Sequence, residues 1–486
     1  MKLKVFNTLW REKQEFKPIN EKQVGIYTCG PTVYGKPHIW NLRAYIFAST
    51  LRNVIEKILW IPVKHVVNIT DVGHLTDDGD NGEDKLEKAS KNEEKTAWDI
   101  AKEYENIFYD YLKKLNIKFD VHPKATEHIQ EQIDLVKKLE EKGYTYEISW
   151  DWIYMDTSKV KDYWKLLPKG HLDWILSCAR VQNNKKKNKT DFALWKFSPK
   201  DKKRQMEWDS PWEKGFPGWH IECSAMSCKY LWERFDIHTW WIDHIPVHHT
   251  DEIAQSETAF WHKWVNYWLH NEFLNLKNWK MSKSLGNVIN LDDIIQKWFN
   301  PLIFKYFIYT ANYRSIQDFS WEDLKAIEKA YNKLRSKLNT LNNKLQILKL
   351  EDIRNIYKNK LDWWKMIDYL LDDIDTVNLI AYINKFVNSL PLKENLIDED
   401  IQILGLIKYI DENILKLDLF KAIEKEKIEI PEEIKLLAEE RWEAKKNKDF
   451  STSDELRDKL LQKWWKILDK KEGYEIIKNN ILDVLD

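Results

Sequence analysis

Residues 24–41, VGIYTCGPTVYGKPHIWN, carry the strongest fold signal in this chain. The run VGIYTC (24–29) is β-branched and aromatic, and it stops at a Gly-Pro turn, which is typical of a buried strand. From Asn41 onward apolar residues recur at helical spacing as far as Ile58, and IPVKHVVNIT (61–70) then predicts a second buried strand. Strand, turn, helix and strand in this order indicate a βαβ unit and therefore a parallel α/β sheet.

The overall composition excludes several classes of protein. The 77 basic residues nearly equal the 78 acidic ones, which excludes a uniformly basic DNA coat but allows a local basic face. There is no run of 18 apolar residues, and MKLKVFNTLW at the N-terminus lacks the apolar core of a signal peptide, so we expect a cytoplasmic protein. The four cysteines lack a framework spacing, which favours metal binding or reactivity over disulfides.

Two motifs indicate a phosphate site. His38 and Asn41 stand where the first crossover helix begins, and free backbone N–H groups at such a point favour anions. Alone, this pair is a weak signal, and a capping asparagine beside a surface histidine is the commoner explanation. The second motif, KMSKS (280–284), is far more specific, because Lys280 and Lys283 on one loop can both meet a triphosphate and stabilise a leaving pyrophosphate.

A candidate metal set is spread over the same region. His248 and Glu252 are four residues apart, so on a helix they face the same way. With Cys29 and Cys223 they would supply two sulfurs, one imidazole and one carboxylate, a combination suited to Zn²⁺. Each residue taken singly is more typical of ordinary packing, and the set becomes a site only if the fold brings the four together.

The ordered motifs closely resemble those of the cysteinyl-tRNA synthetases, a family of class I aminoacyl-tRNA synthetases. The resemblance covers essentially the whole chain and rests on YTCGPTVYGKPHIWN (27–41), NITDVGH (68–74), DFALWK (191–196), EWDSPWEKGFPGWHIECSAM (207–226), HHTDEIAQSE (248–257), YWLHN (267–271) and KMSKSLGN (280–287).

The resemblance implies an α/β fold with a Rossmann-like catalytic domain and an insertion, followed by an all-α C-terminal helical bundle. The implied segments are the first catalytic half (1–120), the insertion (121–216), the second catalytic half with the KMSKS loop (217–290), a stem-contact segment (291–350) and an anticodon-binding domain with its tail (351–486).

The resemblance also implies the activity: ATP-dependent activation of L-cysteine to cysteinyl-adenylate and its transfer to the 3′ end of tRNA(Cys), by a monomer. One Zn²⁺ per chain would be held by Cys29, Cys223, His248 and Glu252, and Mg²⁺ is expected with the ATP. Thr70 and Trp219 would lie beside the bound cysteine, and Asp243 beside the nucleotide with Trp40, Trp240 and Trp241. The catalytic residues implied are His38, Asn41, Lys280 and Lys283.

Tryptophan stands at many positions where that family has glycine. Trp40 is the third residue of the HIGH-type motif, Trp240 and Trp241 replace a Gly-Gly pair, and Trp279 precedes KMSKS. Further examples are Trp164, Trp232, Trp261 and Trp298, whereas tryptophan itself is expected at Trp195, Trp208, Trp212, Trp219, Trp268 and Trp321. The chain has 13 glycines and 26 tryptophans, although about 34 glycines would be usual for its length.

Three explanations of these tryptophans compete. Real indoles in the nucleotide pocket would overpack it and give a catalytically defective homologue. Random drift would scatter glycine into several residue types. The third is a codon, with UGA the simplest candidate, that the source organism reads as glycine and this translation renders as tryptophan. Both the glycine and tryptophan counts and the pocket sterics favour the third.

A separate functional alternative is the related ligase that joins cysteine to an amino-sugar. The roughly 160 helical residues after 320 argue against it.

Overall fold

Over the described residues the fold combines a four-stranded parallel sheet, a four-stranded antiparallel sheet, three two-stranded sheets and a C-terminal set of helices. A computed structural model describes residues 1–74, 84–167, 185–200, 203–277, 288–342, 364–391, 396–422, 430–463, 465–470 and 473–478. The strands are β1 (Lys4–Asn7), β2 (Glu12–Glu15), β3 (Val24–Thr28), β4 (Val63–Val67), β5 (Thr145–Ile148), β6 (Trp152–Met155), β7 (Phe192–Phe197), β8 (Gly215–Pro217), β9 (Phe235–Trp241), β10 (Val265–Asn271), β11 (Leu274–Leu276), β12 (Gln317–Phe319), β13 (Trp465–Lys470) and β14 (Gly473–Lys478). The longer helices are α1 (Ile39–Lys57), α2 (Lys85–Glu93), α3 (Ala97–Lys114), α4 (Ile129–Glu141), α5 (Trp219–Leu231), α6 (Thr250–Phe260), α7 (Leu291–Gln296), α8 (Pro301–Ile308), α9 (Trp321–Asn342), α10 (Lys365–Leu371), α11 (Thr376–Ser389), α12 (Asp398–Ile410), α13 (Glu432–Lys446) and α14 (Phe450–Gln462).

The central sheet is parallel and has the strand order β10-β9-β3-β4. Ile26 in β3 is in register with His65 of β4 and with Ile237 of β9. The βαβ unit predicted from residues 24–70 is therefore present, with α1 as its crossover. From β3 the chain crosses to β4 on one side, whereas the later strands β9 and β10 are added on the other side of β3. The order in which strands are added to the sheet therefore reverses between β3 and β9. Open α/β sheets bind ligands at the carboxyl ends of the strands at such a point.

Helix α1 lies in the interior of the molecule. Fourteen of its residues are buried, on every face, which is typical of a helix covered on all sides. One side contacts the parallel sheet, and the other is joined to the C-terminal helices by the amide of Asn53, which donates to the Ile414 carbonyl at 2.9 Å. Its N-terminus is thereby held at the carboxyl edge of the sheet.

The segment between α3 and α5 builds a separate antiparallel sheet of order β5-β6-β7-β8. Its first pair of strands, β5 and β6, forms a hairpin. Helix α4 packs against this sheet over an apolar cluster that includes Leu139, Leu194 and the fully buried Trp195. This core is shared with the parallel-sheet region, because it also contains Ile221 and Ala225 of α5 and Ala254 and Ala259 of α6.

Asp373 joins the N-terminal hairpin to the C-terminal helices. Its carboxylate accepts the backbone N–H of Phe6 at 2.7 Å, the hydroxyl of Tyr313 at 2.7 Å and the guanidinium of Arg314 at 2.8 Å. Hydrogen bonds to a buried charge are stronger than hydrogen bonds between neutral groups, so these three bonds stabilise the contact between the hairpin and the helices. Strand β1 also packs beside β10, so the hairpin connects the helices to the parallel sheet.

In the part of the C-terminal region that the structure describes, helices follow one another as far as Gln462 and are succeeded by the antiparallel hairpin β13–β14, which the all-α expectation did not include. The hairpin packs on α13 and α14 through Ile434, Leu460 and Trp465. Among the helices that the structure describes, none is both long enough and apolar enough to cross a membrane.

Candidate functional site

A cavity of about 430 Å³ opens at the carboxyl ends of β3 and β9. Its volume is within the range of small-molecule sites, and its position is the reversal point of the sheet. The sequence-predicted residues that line it are Cys29, His38, Trp40, Asn41, Thr70, Trp219, Cys223, Trp240, Trp241, Asp243 and His248. Glu252 lies directly behind this lining, in contact with His248.

The four candidate metal ligands converge on one side of this cavity. Cys29 follows β3, Cys223 lies in α5, His248 lies in the π-helical turn Ile245–His249, and Glu252 lies in α6. One ligand atom from each residue lies within 4.8 Å of all the others, and all four residues are buried. Two thiol sulfurs, an imidazole nitrogen and a carboxylate oxygen in such a cluster match the ligand number and chemistry of a tetrahedral zinc site.

Charges within this cluster are strongly coupled. Burial alone would raise the pKa of Glu252, but the imidazoles of His238 and His248 lower it to about 2. Burial would likewise lower the pKa of His248, yet the carboxylate of Glu252 raises it to about 10. Burial raises the pKa of the Cys29 thiol, and for Cys223 contacts with Cys29 and His248 outweigh burial and lower the pKa to about 7. Glu252 and His248 thus form a buried ion pair, and a metal ion would have to displace the His248 proton, because metals bind the neutral imidazole.

A second layer of histidines supports the four candidate ligands. His238 Nε2 lies 2.8 Å from Glu252 Oε2, and His249 Nε2 lies 3.4 Å from the Cys29 sulfur. The other nitrogen of His249 contacts His270 Nε2 at 2.7 Å. Contacts of this kind orient metal ligands and tune their basicity. These three histidines were not predicted from the sequence, although HH at 248–249 and the strand histidines 238 and 270 were visible there.

The wall opposite α1 carries the residues predicted to meet an amino acid. The Trp219 ring lies 4.6 Å from the His248 ring. Thr70 accepts a hydrogen bond from the Asn68 side chain at 3.0 Å, and the oxygen of the same amide accepts the Gly30 N–H at 2.7 Å. Asn68 was missed by the sequence reasoning, and it fixes the turn after β3 to the segment after β4.

The start of α1 forms the other end of the cavity. The side-chain oxygen of Asn41 accepts the His38 backbone N–H at 3.1 Å, so this asparagine caps the helix as well as facing the cavity. The Ile39 N–H donates to the Ile289 carbonyl at 3.0 Å, which brings the chain following the KMSKS motif against the start of α1. Trp279, Lys280 and Lys283 lie outside the described residues.

Arg43 was also not predicted from the sequence. Its hydrogen bonds connect α1 to the segment before KMSKS. Its guanidinium is fully buried and donates to four backbone carbonyls at 2.8–3.0 Å, those of Glu272, Phe273, Asn312 and Ser315. Burial lowers the pKa of Arg43 to about 10, so the side chain stays charged at neutral pH. A forked cation with five donors can satisfy carbonyls from two loops at once.

Three indoles line the cavity. Trp240 and Trp241 are each 4% exposed, and Trp40 is half-buried in the first turn of α1. The Trp240 ring lies 5.1 Å from Tyr45 and 6.4 Å from Trp241, and the Trp40 ring lies 5.7 Å from His38. Each large side chain thus fills space beside backbone that would otherwise face a ligand.

Comparison with known proteins assigns the family. Residues 15–329 match the family model described as tRNA synthetases class I (C) catalytic domain. The chain is 40% identical over 492 residues to "Cysteine--tRNA ligase 1" of Burkholderia lata, covering 98% of this chain and 97% of that protein. It is 41% identical over 482 residues to the "Cysteine--tRNA ligase" of Treponema denticola, covering 95% and 96%.

A solved structure is similar in fold. Mycobacterium tuberculosis methionyl-tRNA synthetase in complex with methionyl-adenylate superposes with a TM-score of 0.55 at 12% identity, covering 82% of this chain and 90% of that one. At this identity the likeness concerns the fold alone, which is that of a class I synthetase with a Rossmann-like catalytic domain. The fold, the matched segment and the near-complete overlap with these relatives agree, and the chain belongs to the class I (C) tRNA synthetase family.

Proposed function

We propose that this protein is a cysteine–tRNA ligase, which activates L-cysteine with ATP to cysteinyl-adenylate and transfers it to the 3′ end of tRNA(Cys). The observation that carries the proposal is the shared cavity. A thiol-binding metal set of Cys29, Cys223, His248 and Glu252 lies at one end, and the helix start at His38 and Asn41 lies at the other. An amino acid and a nucleotide bound at these two ends would meet in between.

The residues fit a zinc ion by ligand chemistry and by convergence. Bound there, zinc would supply a soft Lewis acid for the substrate thiol. Serine, which offers a hydroxyl in place of the thiol, would bind such a site far more weakly. Trp219 would pack beside the bound amino acid, and Thr70 would lie near its amino group. Selection of cysteine thus needs no separate editing site.

Activation requires no covalent intermediate with the protein. An oxygen of the cysteine carboxylate attacks the α-phosphorus of ATP, a new P–O bond forms, and pyrophosphate leaves with the electrons of the broken bond. The N–H groups at the start of α1 favour the phosphates by hydrogen bonding and by the helix dipole. His38, Asn41 and Asp243 would position the nucleotide, while Lys280, Lys283 and Mg²⁺ would offset the charge on the leaving pyrophosphate.

Transfer to tRNA takes place at the carbonyl carbon of cysteinyl-adenylate. A hydroxyl at the 3′ end of tRNA(Cys) attacks this carbon and loses its proton, and AMP leaves. Because the net charge of the chain is −1, the tRNA must bind to a local basic face, and we place the anticodon on the C-terminal helices. We also propose that the protein works in the cytoplasm as a monomer.

Pyrophosphate exchange tests the proposal. Full-length protein carrying Trp40→Gly, Trp240→Gly and Trp241→Gly should exchange pyrophosphate into ATP when cysteine is present and should do so much less with serine. It should then charge tRNA(Cys) transcripts. Elemental analysis should find one zinc per chain, and the Cys223→Ser and His248→Ala variants should lose most of it. Exchange of equal size with serine would contradict the metal-based selection of cysteine.

The related cysteine:amino-sugar ligase and a catalytically defective homologue are the alternatives. Exchange without charging of tRNA would favour the former. The extensive helical region from α9 onward, together with relatives that match over nearly their full length, argues against it. Absence of exchange after glycine replaces Trp40, Trp240 and Trp241 would favour the defective homologue.

A further inference from the structure

Tryptophans are concentrated at backbone positions that suit glycine. Among the described residues, 14 non-glycine residues have a left-handed φ, and five of them are tryptophans, although tryptophan makes up 26 of 486 residues. Over the same residues, only two glycines have a positive φ. Large side chains rarely adopt this conformation, because Cβ approaches the following carbonyl oxygen. The five are Trp60, Trp150, Trp232, Trp261 and Trp298.

Two of these tryptophans end helices in the way that glycine ends them. After α7, the Trp298 N–H donates to the Ile295 carbonyl at 2.8 Å and the Phe299 N–H to the Ile294 carbonyl at 3.1 Å. These bonds form a Schellman motif with Trp298, at φ 66°, in its left-handed position. Trp261 closes α6 at φ 61° and ψ 25°, with its N–H donating to the Glu257 carbonyl. Both positions are the ones where glycine is usual.

Trp232 and Trp150 also have backbone conformations that favour glycine, Trp232 after a helix and Trp150 in a turn between two strands. Trp232 follows α5 at φ 72° and ψ 174°, a region that is essentially restricted to glycine. Trp150 is the third residue of the tight turn between β5 and β6, where the Asp151 N–H donates to the Ile148 carbonyl at 3.0 Å. With φ 65° at that place, the turn is of the kind that glycine favours.

For three of the five, packing offers little compensation. Trp232 is 82% exposed, Trp150 76% and Trp261 66%, so most of each indole faces solvent. The fully buried Trp195, Trp264 and Trp268, by contrast, have an ordinary backbone conformation. The tryptophans therefore include two distinct groups: one in the core, and one in turns that only glycine enters at low cost.

We infer that the protein made in its own cells carries glycine at Trp60, Trp150, Trp232, Trp261 and Trp298, because a codon rendered here as tryptophan is read there as glycine. The backbone evidence is independent of the synthetase activity. Three of the five coincide with positions where the sequence resemblance called for glycine, and Trp60 and Trp150 are added by the geometry alone. None of the six positions where tryptophan was expected has a left-handed φ.

The inference extends to the nucleotide end of the cavity, and this part rests on the proposed function. Trp40, Trp240 and Trp241 have ordinary backbone angles, so glycine is inferred there from the space that the indoles occupy and not from the backbone conformation. All three line the cavity, and two of them are almost completely buried in it. Glycine at these positions would remove three indoles and leave bare backbone against the nucleotide.

Peptide mapping by tandem mass spectrometry on the protein purified from its own cells tests the inference directly. We expect glycine at residues 60, 150, 232, 261 and 298, and tryptophan at 195, 264 and 268. Tryptophan at the first five would overturn the inference. Glycine at the three core positions as well would overturn the division into two groups. Neither result depends on enzymatic activity, so failure here is separate from failure of the proposed function.

Variants of the full-length recombinant chain provide a second measurement. Trp298→Gly should melt at a higher temperature than Trp298→Ala, because both lose the same indole and differ only in the Cβ that the left-handed backbone disfavours. The same comparison at Trp232 should agree. As a control, Trp195→Gly should melt below the unsubstituted chain, since it empties a core site. Equal melting of the glycine and alanine forms at both turn positions would contradict the backbone argument.

Discussion

Replacing His238 by phenylalanine should weaken metal binding without touching any of the four proposed ligands. His238 is fully buried in β9, and its Nε2 lies 2.8 Å from Glu252 Oε2. Phenylalanine keeps a ring of similar shape, so the stacking on Trp268, with ring centroids 4.7 Å apart, can persist. What is lost is the hydrogen bond that orients the carboxylate.

The magnitude follows from that single contact. A hydrogen bond to a charged group contributes about 1.5–3 kcal/mol, and an outer contact of a metal ligand is worth about 10–100-fold in affinity, or about 1.4–2.7 kcal/mol. The two ranges overlap, and Glu252 is itself completely buried, so bulk solvent does not reach the carboxylate. We therefore expect the zinc dissociation constant of His238→Phe to rise about 10- to 100-fold.

Chelator competition with a chromophoric zinc indicator measures this constant. His262→Phe is the matched control, because His262 is exposed and is neither one of the four proposed ligands nor in contact with Glu252. Circular dichroism and the melting temperature of the metal-loaded forms report whether the variant folds. An unchanged dissociation constant in a folded His238→Phe protein would refute the view that this histidine positions Glu252.

Three further outcomes are expected. Arg43→Lys should lower the midpoint of urea unfolding, since a lysine cannot reach four carbonyls and the loss of two charged hydrogen bonds amounts to about 3–6 kcal/mol; an unchanged midpoint would contradict this. Burial lowers the pKa of Lys305 to about 7, so the unfolded chain binds more protons between about pH 7 and 10.5, and stability should rise with pH across that window, at no more than about 1.4 kcal/mol per pH unit. Lys305→Met should lose this rise, and an identical pH profile in the variant would count against it. Binding of tRNA(Cys) should weaken steeply as salt rises from about 50 to 200 mM, and a flat salt profile in filter binding would argue against a phosphate-dominated interface.

Two of the four strands of the parallel sheet could be predicted because they are largely apolar runs. These runs, VGIYTC and IPVKHVVNIT, became the neighbouring strands β3 and β4. The candidate metal set could be named because each ligand stands in a motif of its own. Their convergence could not be established in advance, since Cys29 and Glu252 are brought together only by the pairing of β3 with β9.

Other features depend on partners that no local pattern reveals. In the sequence Arg43 looks like any other helix residue, because the carbonyls that it binds are more than 220 positions away. His238 and His270 read as strand residues, and they became site residues because both strands are buried. The hairpin β13–β14 was missed because its lysine- and glutamate-rich sequence resembles the helices before it.

The strand order of the parallel sheet has a consequence for synthesis on the ribosome. β3 pairs with β4 soon after both are made, but its other neighbour, β9, begins at Phe235, more than 200 residues later. At typical translation speeds this interval lasts about 10 to 40 s. Throughout it the nascent chain presents an apolar strand edge with unpaired amides, which is the feature most prone to pairing with a neighbouring chain. Chaperone demand should therefore be greatest while the insertion is still being translated.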